Sequence, residues 1–271
     1  MGPLSLPRRR GWAWVGRWVV LVLIGGYLVL PLVSMLEFST RGPGGGRTLD
    51  AWLAIGGDPQ LPGVIVVMLE LSALTVLLML LLLVPTMAWT VLRVPRMRRV
   101  VEFICLLPLA IPAIVIVVGI APIYRVVTGI FGGSALTLVF VDVILVLPYA
   151  YRAIDVGLRS VDVNTLADAA RSLGAGWPRV MGQIIVPNIR GGILSASVLA
   201  VALVLGEFTI SSLLNFDTLQ VVINLLGKRN AFLSVAVSLA ALVFAFVLLL
   251  AITHFSPAGY EAQAAEEEPA A

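Results

Sequence analysis

Few side chains in this 271-residue chain have the type and the neighbours that bond-making chemistry needs. Its one cysteine, Cys105, and its one histidine, His254, stand far apart in sequence and make no metal-ligand set. A single cysteine in an apolar run also gives no disulfide framework. No glycine-rich loop ends in Lys followed by Ser or Thr, so the chain carries no phosphate-cradling loop; Gly42–Gly46 lacks the lysine. What remains are carboxylates in costly places. Asp142 and Glu207 both lie inside apolar runs. An ionised group at the centre of a bilayer costs about 2.5–3.5 kcal/mol on insertion scales. Such acids are expected to face a polar path, a polar partner or another subunit. With Ser211 they form the candidate solute pathway, and pairing with polar residues for helix packing is the alternative. Ser212, Asn215 and Gln220 suit either a gate or a membrane interface. An intramembrane enzyme needs paired catalytic groups at membrane depth, and one terminal histidine with two separated acids offers none.

The second polar feature is an island from Asp162 to Pro187, set between apolar runs. Thr165 followed three residues later by Asp168 reads as a capping-box-like helix start. Leu166, Ala169, Ala170 and Leu173 recur at helical spacing and form a small apolar stripe. Asp168 and Arg171 are three apart and can pair. Gly174 falls where a helix favours a left-handed residue after its C-cap. The spacing predicts a helix of about nine residues, Thr165–Leu173, too short to stand alone in water. It is expected to dock in a groove of a partner.

These features need a scaffold, and composition says which kind. Apolar residues make up 60% of the chain and charged residues 12%, against globular averages of roughly 45–50% and 25%. The reading is all-α and polytopic, with six transmembrane helices: Trp18–Leu36, Gly63–Leu92, Phe103–Tyr124, Ala135–Tyr151, Ile193–Leu214 and Phe232–Ile252. The first run is longer than a signal-peptide core and reads as a retained span. Residues 1–17 form a basic N-terminus and 18–62 the first span with a Gly/Pro-rich outer loop. Residues 63–253 form the main transmembrane domain, with a polar loop at 155–190. Residues 254–271 form an acidic tail that is expected to be disordered.

Cationic residues set the orientation. Arg8, Arg9, Arg10, Arg17, Arg93, Arg96, Arg98, Arg99 and the arginines from Arg152 to Arg190 fall on the side of both termini, which is read as cytoplasmic. Arg41, Arg47, Arg125, Lys228 and Arg229 fall outside. Dispersed arginines beside apolar spans are topology determinants and give no sign of nucleic-acid binding. Trp12, Trp14, Trp18 and Trp89 read as interface anchors, and Glu70 and Glu102 as interfacial acids.

The island also resembles a known family. Inner-membrane permeases of ATP-driven, binding-protein-dependent importers carry EAA, three residues, G, nine residues, I, one residue, LP. Here the pattern is Asp168-Ala169-Ala170, Gly174, Ile184 and Val186-Pro187. Aspartate replaces glutamate and valine replaces leucine, which keeps the charge and the apolar character. Leu107–Pro112 and Leu205–Phe208 resemble fragments of the third and fifth spans of such permeases. The resemblance implies the type I fold and a coupling helix gripped by a separate ATPase. It assigns the coupling to Asp168, Ala169, Ala170, Leu173, Gly174, Ile184 and Pro187. It also implies two ATPase subunits, a second permease that is often a different chain, an extracytoplasmic solute-binding protein and a bacterial inner membrane. ATP and magnesium would then sit on the ATPase, with no cofactor on this chain. Detail in the spans is most similar to the spermidine/putrescine or iron branch, which implies a small charged solute. The rival expectation is an ion-coupled secondary carrier using Asp142 and Glu207, although no inverted repeat is evident.

Overall fold

The computed structural model describes residues 10–42 and 44–254. Arg8, Arg9 and the acidic tail lie outside the described residues, as do the side chains of Arg10 and Trp12. The described chain is helical, and its only β-pairing is an isolated bridge between Arg41 and Arg47. It divides into two compact units, Met1–Gly57 with Leu226–Ala241, and Asp58–Leu225 with Leu242–Ala271.

The first unit carries the helix Arg10–Ser39, whose apolar window buries none of its residues within the chain. An all-round apolar stretch that the chain itself leaves uncovered belongs in lipid or against another subunit. The Gly/Pro-rich connection after it closes on itself. The Gly42 N–H donates to the Gly46 carbonyl at 2.8 Å and the Thr48 N–H to the Thr40 carbonyl at 2.8 Å. Glu37 pairs with Arg41 at 2.9 Å and with Arg47 at 3.2 Å. Phe38 stacks on Phe232 with ring centroids 5.1 Å apart.

The second unit is built around the helix Val139–Arg159, entered through a short 3-10 turn at Ala135–Leu138. This span is 61% buried, against 33% for Leu61–Leu92 and 11% for Ala113–Phe131. It packs on Leu61–Leu92, Arg98–Ala110 and Arg190–Gly206. Glycine permits the closest of these contacts. A Cβ on Gly192 would stand 2.9 Å from the Ala153 carbonyl oxygen and 3.1 Å from the Gly157 Cα. Both obstacles are backbone and cannot rotate away. Alanine at this site regains up to about 1 kcal/mol of helix propensity, so the sharper test is Gly192→Leu. Overpacking there is expected to cost about 1–3 kcal/mol, read as a melting temperature several degrees lower in detergent.

Four spans differ from their expected bounds by more than two residues; the first, expected as Trp18–Leu36, belongs to a helix that runs from Arg10 to Ser39. The third was expected as one helix, Phe103–Tyr124. It is instead two helices, Arg98–Ala110 and Ala113–Phe131, separated at Ile111 and Pro112. Ile111 is extended, with φ −107° and ψ 120°, as the residue before a proline is forced to be. The loop expected from Arg125 is therefore helical as far as Phe131. The fourth span continues eight residues beyond Tyr151, to Arg159, because its polar side chains find partners. The fifth, expected as Ile193–Leu214, runs from Arg190 to Gly206, breaks at Glu207 and resumes as Thr209–Leu213. It is entered from Trp177–Asn188 through a 76° bend. Among the described residues, five helices are long and apolar enough to cross a membrane, or six if that bent pair is one span. A helix unforeseen in the sequence, Leu219–Arg229, buries Leu219, Val222, Ile223 and Leu226 at helical spacing.

Candidate functional site

The polar island folds as a ten-residue helix, Val163–Ser172. Its start is set by Asp162, three residues ahead of the Thr165 expected from the capping-box pattern. The Thr165 N–H donates to Asp162 Oδ1 at 3.2 Å, and Thr165 Oγ1 donates to Asp162 Oδ2 at 2.6 Å. A carboxylate at the N-cap outcompetes a hydroxyl three residues later because it satisfies two donors at once. The hydrogen bond from the Thr165 side chain, helped by backbone N–H groups, holds the Asp162 carboxyl below its usual range.

The other end closes as the spacing predicts. Gly174 has φ 83°. Its N–H donates to the Arg171 carbonyl at 2.9 Å, and the Ala175 N–H donates to the Ala170 carbonyl at 3.0 Å. This pair of bonds is the Schellman closure, which needs a left-handed residue at its centre.

The helix presents two faces, and the predicted stripe divides between them. Val163 and Ala167 are buried against the rest of the unit, with Ala170 and Arg171 half-buried beside them. Leu166, Asp168, Ala169 and Leu173 point away, and Leu173 is 89% exposed. The stripe is thus split: Ala170 lies at the inner edge, and the inner anchors Val163 and Ala167 were missed. Their spacing of four was the signal available. Asp168 and Arg171 do pair, at 3.4 Å on the surface, a contact worth little energetically.

Ile184 and Pro187 lie on the connector to the fifth span. Ile184 is half-buried in the π-turn Val180–Ile185, whose fully buried members are Val180 and Ile185. Pro187 is exposed in the turn Val186–Asn188. Trp177, at the head of the connector, meets Trp89 edge-on at 6.3 Å, and the Arg171 guanidinium lies 5.9 Å from the Trp177 ring.

Asp155 escaped the sequence reading as a structural element. It is buried, and its carboxylate accepts from Arg98 at 2.5 Å and from Arg159 at 2.8 Å. Arg152 and Glu102 add a second link at 3.2 Å. The Arg98–Asp155 and Glu102–Arg152 pairs fasten the helix Arg98–Ala110 to the second half of the fourth span. The i, i+4 pair Asp155–Arg159 was visible in the sequence, but Arg98 is brought in by folding alone.

The two membrane acids fall in one region. Asp142 sits in the first turn of Val139–Arg159, is 2% exposed and makes no ion pair with a described residue. Glu207 occupies the break in the fifth span. It accepts from the Ile210 N–H at 2.7 Å, the Ser211 N–H at 3.0 Å and Ser211 Oγ at 2.8 Å. Ser211 is therefore joined to Glu207, which caps the short helix after the break. The Asp142 and Glu207 carboxylates are close enough to repel one another.

The surroundings hold this break in shape. Asn215, with φ 61°, closes the short helix while the Phe216 N–H donates to the Ser211 carbonyl at 2.9 Å. Gln220 Nε2 donates to the Leu205 carbonyl at 2.9 Å, covering backbone that the broken helix leaves unpaired. Asn215 and Gln220 thus have structural tasks. Among the described residues no group of three His, Cys, Asp or Glu side chains is placed to hold a metal ion.

Several membrane-length helices with a polar, capped helix seated beside them define a polytopic membrane protein. The family of binding-protein-dependent transport system inner membrane components matches residues 85–258. That match covers more than half of the chain, and the chain belongs to this family. It is a multi-pass inner-membrane permease of a binding-protein-dependent, ATP-driven importer, a transport subunit and not an enzyme. This settles the choice against the ion-coupled secondary carrier. A comparison with curated proteins gives no match.

Proposed function

We propose that this chain forms half of a solute pathway and is driven through the helix Val163–Ser172 by a separate ATPase that binds ATP and magnesium. The observation that carries this is the outward face of Leu166, Ala169 and Leu173 on a helix closed at both ends. A rigid lever with an unused apolar face suits the groove of a partner. Asp168, Ala170 and Gly174 define its outline, and Ile184 and Pro187 lie on the connector that passes movement to the fifth span. ATP draws two ATPase subunits together, each pulls its docked helix, and the attached spans tilt as rigid bodies. Both chain termini then lie in the cytoplasm. A second permease subunit, a different chain, completes the path, and an extracytoplasmic binding protein delivers the solute. Co-purification from native membranes tests the assembly. An ATPase subunit retained by the wild-type chain and lost with Ala169→Arg supports the docking, and equal retention by both refutes it.

The solute is inferred to be a small cation, polyamine-like, as in the spermidine/putrescine or iron branch. Support comes from Asp142, a buried acid with no cationic partner among the described residues, beside Glu207 and Ser211. A carboxylate left without a counter-ion in low dielectric is a place where a passing cation gains. Asp142→Asn is expected to raise the KM for uptake about tenfold, equivalent to about 1.4 kcal/mol, without changing the protein's abundance in the membrane. Uptake kinetics unchanged by this substitution would remove Asp142 from the path.

A further inference from the structure

Where the second span ends, apolar chain gives way to charge at Leu92 and Arg93. A cleft of about 480 Å³ opens there, lined by Trp89, Arg93, Val94 and Trp177. A second groove of about 240 Å³ shares Trp89 and Val94 with it and continues past Thr86, Thr90, Met97 and Val101. The two together have the outline of an amphiphile. One compartment is rimmed by a cation and walled by indoles, and the other is an open groove along the span in which Thr86 and Thr90 interrupt the apolar wall of Val94, Met97 and Val101.

The charge at the cleft is uncompensated on one side. Arg93 is exposed and belongs to no ion pair among the described residues. Arg171 stands against Trp177, and its Nη2 is buried without a hydrogen-bond acceptor. The nearest acid on that element, Asp168, faces solvent and reaches Arg171 only at 3.4 Å. Guanidinium groups with open donors favour phosphate oxygens, and tryptophan favours the headgroup level of a bilayer.

We propose that this cleft is a binding site for an anionic phospholipid. Its phosphate is received by Arg93 within the positive field of Arg171, and the start of an acyl chain lies along Val94, Met97 and Val101. The site would tether the end of the second span, and with it Trp177 and the connector, to the membrane surface. This goes beyond the coupling reading and does not depend on it, because a lipid can occupy the cleft whether or not an ATPase grips the neighbouring helix.

The test uses the full chain in nanodiscs of phosphatidylcholine containing an equal minor fraction of brominated phosphatidylglycerol or brominated phosphatidylcholine. Tryptophan quenching reports contact. Quenching by the anionic lipid should indicate about fivefold enrichment over the zwitterionic one, the preference one arginine confers at an anionic surface. The excess should disappear in Arg93→Gln, and also in a Trp89→Phe, Trp177→Phe double variant that removes the reporters at the cleft. Equal quenching by the two lipids, or an excess that survives Arg93→Gln, overturns the site. Added ATPase subunit that abolishes the excess would assign the cleft to a protein interface and overturn it as well.

Discussion

Leu173→Asp is expected to cut solute uptake about thirtyfold while leaving the protein folded and inserted. The residue is 89% exposed, so the chain loses almost no internal contact when it changes. If Leu173 is an anchor in the groove of an ATPase, burying a carboxylate there forfeits an anchor contact of about 2 kcal/mol or more, which converts to roughly that factor in affinity. The control is Ala167→Asp, one turn from Val163 on the buried face. It is expected to fail at folding instead, because an unpaired charge would enter a packed contact. Gly174→Val should resemble Leu173→Asp in its effect on uptake. A β-branched residue at φ 83° costs about 1–2 kcal/mol of backbone strain and frays the end of the lever. Uptake rates, melting temperature and membrane abundance, measured together, separate the three variants.

The second large effect is expected at Asp155. Removing one partner of a buried ion pair costs about 3–5 kcal/mol, but Arg98 keeps 34% of its side chain exposed, and solvent screens what remains. Asp155→Ala is therefore expected to destabilise by about 2–3 kcal/mol. The loss should appear as a marked fall in melting temperature and faster proteolysis of the turn at Arg93–Arg99. Unlike Leu173→Asp, it should also lower the amount of protein recovered from membranes. A wild-type melting curve for Asp155→Ala would mean that this network holds nothing together.

Much of this arrangement was legible because it is local. Gly174 and the Asp168–Arg171 pair depend on residues three to six apart, and both appear as the spacing predicts. The second and sixth spans were legible within two residues because long apolar runs decide them. Pro112 falls inside the apolar run expected as the third span. Its effect on Ile111 turns a possible kink into a break. Hydropathy makes Glu207 a charge inside a helix, whereas the helix stops there and the carboxylate caps the next one. A capping role depends on backbone N–H groups that hydropathy does not count.

The inner face of Val163 and Ala167 and the Arg98–Asp155 contact were not legible. Each depends on which element packs beside the residue, and spacing along one helix cannot say so. The split of the apolar stripe follows from the same limit. Spacing shows that a face exists, and only packing shows which side of it the fold has already used.

The most direct test places a single cysteine at the exposed end of the lever, Ser172→Cys in a Cys105→Ser background, and labels it with a membrane-impermeant thiol reagent. The account predicts no labelling in intact cells, labelling in inverted vesicles stripped of peripheral proteins, and protection when purified ATPase subunit is restored. Labelling from outside intact cells, or no protection by the ATPase, would contradict it.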